Sequence, residues 1–396
     1  MMKKQQRVAR DSFIPVLWIR DGHETPLTIT IAEGIRQMAA QKSLDVKLYA
    51  QLEEVLNDEK AGRHVIVIGL ESEQMPKMLS HLQSAGKQLV ITSMDMDHID
   101  SHYSCATFSR RIATEQMLDH LVSKGCRCIA LVGCGDLSIN DMVCRDALET
   151  HLARMELEGS CFPFHNHIEE SFDAFFAVRS LYDGVICPND FAAVLFLRYC
   201  EQHELKVPGD VLVAALKDNY ISRYCNPSLT SLSIDFFAIG RNSVLIWEQL
   251  RQMDSMDIQI RITIPGKIIE RESTVVSSGE CIVSQCPKKL TVPYQGGPFY
   301  QDPRAQELMR FERCLQACDE LDLRIIGLIL QDLRYESISE TLFLSESSLQ
   351  YRVRKIFRLA QVDNLKNFKK MLQRCFTREN GFYNSTNKIL GCVYTS

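Results

Sequence analysis

The sequence predicts an α/β chain of two lobes with parallel sheets, followed by a small all-α C-terminal domain. Three observations carry this. Up to residue 216, short apolar runs rich in β-branched residues alternate with amphipathic stretches of helical period. Those runs are apolar on both faces, as strands are when helices cover each side of a parallel sheet. After Thr274 comes a turn-rich stretch, beyond which only helical periods recur. A stretch of about 270 residues exceeds one comfortable sheet and core, so two lobes are expected.

In chain order, residues 13–19 read as a strand, 30–41 as a helix, 65–70 as a strand, 75–86 as a helix and 88–92 as a strand. The alternation continues with a helix at 110–125, a strand at 128–132, a helix at 141–155, a strand at 184–187, a helix at 192–203 and a strand at 211–216. Ser277-Ser278-Gly279, Pro287, Pro293 and Gly296-Gly297-Pro298 mark a linker. The expected domains are a two-lobed α/β domain over 1–276, a linker over 277–301, a connecting helix over 302–321, a small all-α domain over 322–378 and a tail over 379–396.

The chain has 396 residues, 45% hydrophobic and 24% charged, the balance of a soluble globular protein. Residues 1–10 are basic, the apolar run after them is brief, and no small-residue cleavage site follows. Nor does any apolar run approach the ~18 residues of a membrane span, so a cytoplasmic protein with no membrane partner is expected. Fifteen cysteines in a chain of this length and kind point to reduced thiols. Cys126, Cys128, Cys134 and Cys187 stand in or beside apolar runs, where a thiol behaves as a small hydrophobe.

Cys281 with Cys286, and Cys314 with Cys318, are close enough to weigh as metal ligands. Neither pair has the two-residue spacing common in structural zinc sites, and no histidine follows His203. No metal or cofactor is expected. His165 and His167 flank Asn166, but there is no Gly-rich phosphate loop, Gly-x-Ser-x-Gly elbow or His-Glu-x-x-His helix. The chain is therefore not expected to be an enzyme.

Charge is sharply localised. From Ser347 to Arg378 nine cations face the single acid Asp363, a balance of +8 in a chain of net −5. Positive charge gathered on one short helical region is the footprint of a phosphate-binding surface, here double-stranded DNA. Leu323, Ile326, Leu330 and Leu333 form one apolar stripe, and Ile338 with Leu342 a shorter one. Ser347 and Gln350 have capping-box spacing at the start of the next helix. On that helix Leu349, Val353, Ile356, Phe357 and Ala360 share one side at ~100° per residue. Ser347, Tyr351, Arg354, Lys355 and Arg358 share the other, where cations fix phosphates and polar side chains reach base edges.

Val207-Pro208-Gly209-Asp210-Val211, Ala215-Leu216-Lys217-Asp218-Asn219 and Asn226-Pro227-Ser228-Leu229-Thr230-Ser231-Leu232 together resemble the closing segment of the lactose-repressor family's effector domain. Pro188-Asn189-Asp190, Lys124-Gly125-Cys126-Arg127-Cys128-Ile129-Ala130, Thr25-Pro26-Leu27 and Arg271-Glu272-Ser273-Thr274 fall in the family's order, over about residues 12–276. The resemblance implies a periplasmic-binding-protein-like fold of two α/β lobes closing on a small polar effector, a sugar or similar metabolite. It also implies cleft roles for Arg145, Asn189 and Asp218. A guanidinium and a carboxylate so placed can hold vicinal hydroxyls, although the pair is also readable as a structural ion pair. Leu27 stands where the family often has an aromatic wall, and Phe164 and Phe172 are candidate stacking rings in its stead. Phe108 and Lys217 depart from the family's pattern; Lys217 either neutralises Asp218 or points outward.

Ile338-Ser339-Glu340-Thr341-Leu342-Phe343-Leu344-Ser345-Glu346-Ser347-Ser348-Leu349-Gln350-Tyr351 resembles the LuxR-type helix-turn-helix. That likeness implies Ser348, Gln350, Tyr351 and Arg354 as groove-facing. With the sensor pattern starting near the first residue, the DNA-binding module is expected at the other end. The expected function is a ligand-responsive, DNA-binding transcription regulator acting as a homodimer. The alternative is a small-molecule sensor or scaffold whose C-terminal bundle serves oligomerisation.

Overall fold

A computed structural model describes residues 13–19, 26–69, 75–92, 103–135, 138–164, 166–253, 258–275, 299 and 302–375. The chain divides into two compact units, one built from residues 1–109 and 234–265, the other from 110–233 and 266–396.

The first unit opens with β1 (Phe13–Trp18), α1 (Pro26–Gln41), β2 (Asp45–Tyr49), α2 (Leu52–Asn57), β3 (His64–Ile68), α3 (Met75–Ser84), β4 (Gln88–Thr92) and β5 (Ser104–Thr107). The second follows with α4 (Arg110–Ser123), β6 (Cys128–Gly135), α5 (Ile139–Arg154), β7 (Glu158–Phe164), α6 (Glu169–Phe176), β8 (Gly184–Cys187), α7 (Asp190–Gln202), β9 (Leu212–Lys217) and β10 (Thr230–Ile234). The chain then returns to the first unit for α8 (Phe236–Gln252) and β11 (Arg261–Thr263). It re-enters the second for β12 (Gly266–Ile269) and the helices α9 (Pro303–Ala317), α10 (Glu320–Leu330), α11 (Tyr335–Leu342), α12 (Glu346–Ala360) and α13 (Leu365–Cys375).

Each unit holds one six-stranded sheet, ordered β11-β5-β4-β3-β1-β2 and β12-β10-β9-β8-β6-β7. The pairings β1 with β2 and β3, β3 with β4 and β4 with β5 are parallel, as are β6 with β7 and β8 and β8 with β9. Every residue of β4 and β6 is buried, as strands covered on both faces must be. Both sheets repeat one doubly wound plan, and such sheets offer loops and helix N-termini at their carboxyl edges.

In the first unit α1 and α8 cross with their backbones nearly touching. A Cβ on Gly34 would lie 2.2 Å from the Phe237 carbonyl oxygen, and one on Gly240 would lie 2.0 Å from that of Ile31. Only glycine permits that approach.

In the second unit a single apolar core runs from the sheet into the C-terminal helices, joining Phe162, Phe172 and Phe196 to Phe311, Ile326, Ile356 and Phe368. The expected connecting helix is α9, which packs against α7 and the 3-10 turn Tyr220–Arg223 of the second unit. It ends earlier than its pattern predicts. Asp319 caps α10 with a reciprocal bond to Asp322, which breaks the helix before Leu321. Of the expected linker only Phe299 lies among the described residues, buried and edge-on to Phe164; Cys281, Cys286, His165 and the tail 379–396 lie outside them. Among the described residues no helix is long and apolar enough to cross a membrane, and no cluster of His, Cys, Asp and Glu could hold a metal.

Candidate effector site and nucleic-acid interface

The carboxyl edge of the second sheet carries the first candidate site. Asn189, just after β8, is buried and caps α7, its Oδ1 accepting from the Ala192 N–H at 3.0 Å. Asp218, just after β9, has a left-handed backbone (φ +52°), an arrangement that costs a non-glycine residue roughly 1 kcal/mol or more and gathers at functional sites. Its buried carboxylate accepts from Arg271 Nη2 at 2.5 Å, with Arg223 at 3.8 Å. Arg271 is therefore a neutralising cation of Asp218. The charge of Lys217 acts on Asp141, a carboxyl that accepts from the Gly135 N–H at 2.9 Å. Burial pushes Asp141 up, against the opposing pull of that bond, Arg110 and Lys217.

Asp190, beside Asn189, is wholly buried and accepts from Ser231 Oγ at 2.5 Å and from the Asn219 N–H. Burial pushes its carboxyl up to about 6 despite those bonds, with Asp218 adding to the rise. The strand ends thus bring Asp218 into one network with Asp190, Ser231 and Arg271, and Asn189 is the chain neighbour of Asp190. Sequence reasoning quoted Asp190, Ser231 and Arg271 only as family motif residues and gave them no role. Arg145 is half-buried on α5, and Leu27 is half-buried in the first turn of α1, in the first unit.

Phe172 and Phe164 correct an expectation. Both are no more than 2% exposed, and Phe172 packs edge-on to Phe196 and against Tyr199. Both rings belong to the apolar core of the second unit. Phe172 borders a cavity of about 440 Å³ lined also by Tyr199, Arg304 and Leu308, where α9 lies on α6 and α7.

The second candidate site is the outer face of α12. Leu349, Val353, Ile356 and Ala360 are buried towards α9, α10, α11 and α13, and Phe357 leans on Phe368. Ser347, Gln350, Arg354 and Arg358 are exposed, as is 71% of Tyr351; Ser348 is half-buried. The helix is capped by Ser345, whose Oγ accepts from the Ser348 N–H at 3.2 Å, so the expected cap at Ser347 is corrected by two residues. The Ser347 side chain is exposed beside that cap, its Oγ 3.1 Å from Ser345 Oγ.

Lys355 also departs from expectation. Its Nζ donates to Asp322 at 2.7 Å, and Arg352 donates to Asp322 at 2.7 Å and to Asp319 at 2.9 Å. The hydrogen bond to Asp322 raises the Lys355 pKa, and those to Asp319 and Asp322 raise that of Arg352. Lys369 is engaged by Asp332. Three cations of the basic stretch thus hold the bundle together, while Arg354, Arg358, Lys366 and Lys370 stay exposed.

Fold and site define a two-lobed, periplasmic-binding-protein-like α/β chain with a C-terminal helical region. Residues 118–274 match the model of the periplasmic binding protein-like domain. The NTD biosynthesis operon regulator NtdR of Bacillus subtilis is 30% identical over 112 residues, 27% of this chain and 34% of that protein, so the match spans about a third of that relative. The lactose operon repressor of Rhizobium radiobacter is 29% identical over 92 residues, 23% of this chain and 79% of that sequence. Among solved structures, the lac repressor dimer bound to operator and the anti-inducer ONPF is similar with a TM-score of 0.55 at 17% identity, over 68% of this chain and 83% of that one. At such identity the likeness shows the fold alone.

Proposed function

We propose that this chain is a ligand-responsive transcription regulator that reads double-stranded DNA with α12 and acts as a homodimer. One observation carries the reading: α12 buries one face in its bundle and turns Ser347, Gln350, Tyr351, Arg354 and Arg358 outward. A helix anchored on one side and lined with hydroxyl, amide and guanidinium groups on the other suits the major groove. Its exposed cations belong to a segment of +8 in a chain of net −5, so attraction to phosphates is confined to that end. A two-fold dimer supplies the two reading heads that paired half-sites require.

The effector is a small polar metabolite, a sugar or similar, held at the carboxyl edge of the second sheet by Asn189, Asp218 and Arg145. With Asp218 already paired to Arg271, a bound polyol exchanges hydroxyl contacts for part of that pair, and the loop after β9 responds. Relatives that regulate operons support this class. The test is calorimetric titration of the full chain with a panel of pentoses, hexoses, nucleosides and small acids, repeated on Asp218→Ala. Binding that survives Asp218→Ala unchanged removes the effector assignment.

A further inference from the structure

We infer that Glu312 is a positioning residue that ties the effector-site loop to the helix bearing the DNA-reading module; this rests on the function proposed above. The buried face of α9 carries Ala305, Leu308, Met309, Phe311, Cys314 and Leu315, and in its middle stands the Glu312 carboxylate, 0% exposed. For packing alone an apolar side chain is the better choice there, because a buried carboxylate costs several kcal/mol unless its oxygens are satisfied.

Both oxygens are satisfied by the sensor's backbone. Glu312 Oε1 accepts from the Tyr220 N–H at 2.7 Å and Oε2 from the Ile221 N–H at 2.8 Å, with Gln316 donating to Oε1 at 3.2 Å. The preceding two amides are held the same way: Asp218 N–H donates to Ser231 Oγ, and Asn219 N–H to Asp190. Four consecutive N–H groups of one loop are thus each gripped by a side chain, from β10, α7 and α9 in turn. Glu312 supplies the grips that come from the C-terminal helices. From α9 the contact passes to α12, where Cys314 Sγ meets the Ile356 carbonyl oxygen at 3.7 Å. Burial pushes the Glu312 carboxyl up to about 7, with Asp190 adding to the rise and the bonds from Tyr220, Ile221 and Gln316 opposing it. A group held at that cost is placed for position. Any shift of residues 218–221 displaces α9, and any shift of α9 loosens the loop.

The experiment is a double-mutant cycle read by amide hydrogen exchange on the full chain: parent, Asp218→Asn, Glu312→Gln and the double variant. Glu312→Gln keeps the shape and one acceptor oxygen, so the fold persists. The expected result is that Asp218→Asn speeds exchange about threefold to tenfold both in residues 218–224 and in α9, and that its effect on α9 vanishes when Glu312 is already Gln. A simple cap would lower protection without that non-additivity. The inference is overturned if Asp218→Asn leaves α9 unchanged, or if its effect on α9 is the same with either residue at 312. Duplex-DNA binding by the parent is measured separately, so its failure sinks the regulator reading and leaves the exchange result standing.

Discussion

The buried carboxylate of Asp322 on α10 receives both Arg352 and Lys355 of α12, each at 2.7 Å. This bidentate clamp fixes the rotation of α12 about its axis, and with it which residues face outward. Asp322→Asn removes the carboxylate charge that both cations share, leaving Arg352 with Asp319 as its acidic partner. A loss of about 1–3 kcal/mol in denaturant unfolding of the full chain is expected, with weaker DNA binding beside it. A loss below about 0.5 kcal/mol would show the clamp to be incidental.

Phe343 sits in the turn between α11 and α12 with φ +53° and 96% of its surface in water. A left-handed residue ending a helix is best as glycine. Phe343→Gly is expected to stabilise the chain by about 1 kcal/mol, seen as a higher denaturant midpoint. Destabilisation would mean that the ring makes a contact within the fold.

The crossing of α1 and α8 depends on Gly34 and Gly240. Gly240→Ala drives a methyl group into the Ile31 carbonyl and is expected to cost at least about 2 kcal/mol, lowering the melting temperature of the first unit. A melting curve that does not move would mean that the helices part without loss.

Asp190 and Glu312 have carboxyl pKa values raised by burial to about 6 and about 7. Because the folded state holds their protons more tightly, their stabilising contribution is full below pH about 4 and is lost as pH rises towards 7. Melting temperature measured from pH 4 to 8 should fall more in the parent than in Glu312→Gln. Parallel curves would contradict the assignment.

Much of this was legible in the sequence. Strands buried on both faces announced the parallel sheets, and the period of Leu349, Val353, Ile356 and Ala360 set the inner face of α12. Other elements were hidden for local reasons. The β2 strand is a largely exposed edge carrying Asp45 and Lys47, and β7 contains Gly159 and Pro163, which read as breakers. Gly240 interrupts the α8 pattern for the sake of a crossing that no local window reveals. The cap at Asp319 uses Asp rather than Glu at its third position, so the break before α10 went unseen. Glu312 carried no local signal because its partners are backbone amides some ninety residues earlier, and Lys355 read as a groove cation because Asp322 is thirty-three residues away.

The measurement that bears most directly on the regulator reading is the salt dependence of duplex-DNA binding, by fluorescence anisotropy, for the parent and for the Arg354→Ala, Arg358→Ala double variant. The expected result is a steep fall of log K with log salt in the parent, and in the variant weaker binding with a slope reduced by about 2. No binding by the parent at low salt, or equal affinity and slope in the two proteins, would contradict it.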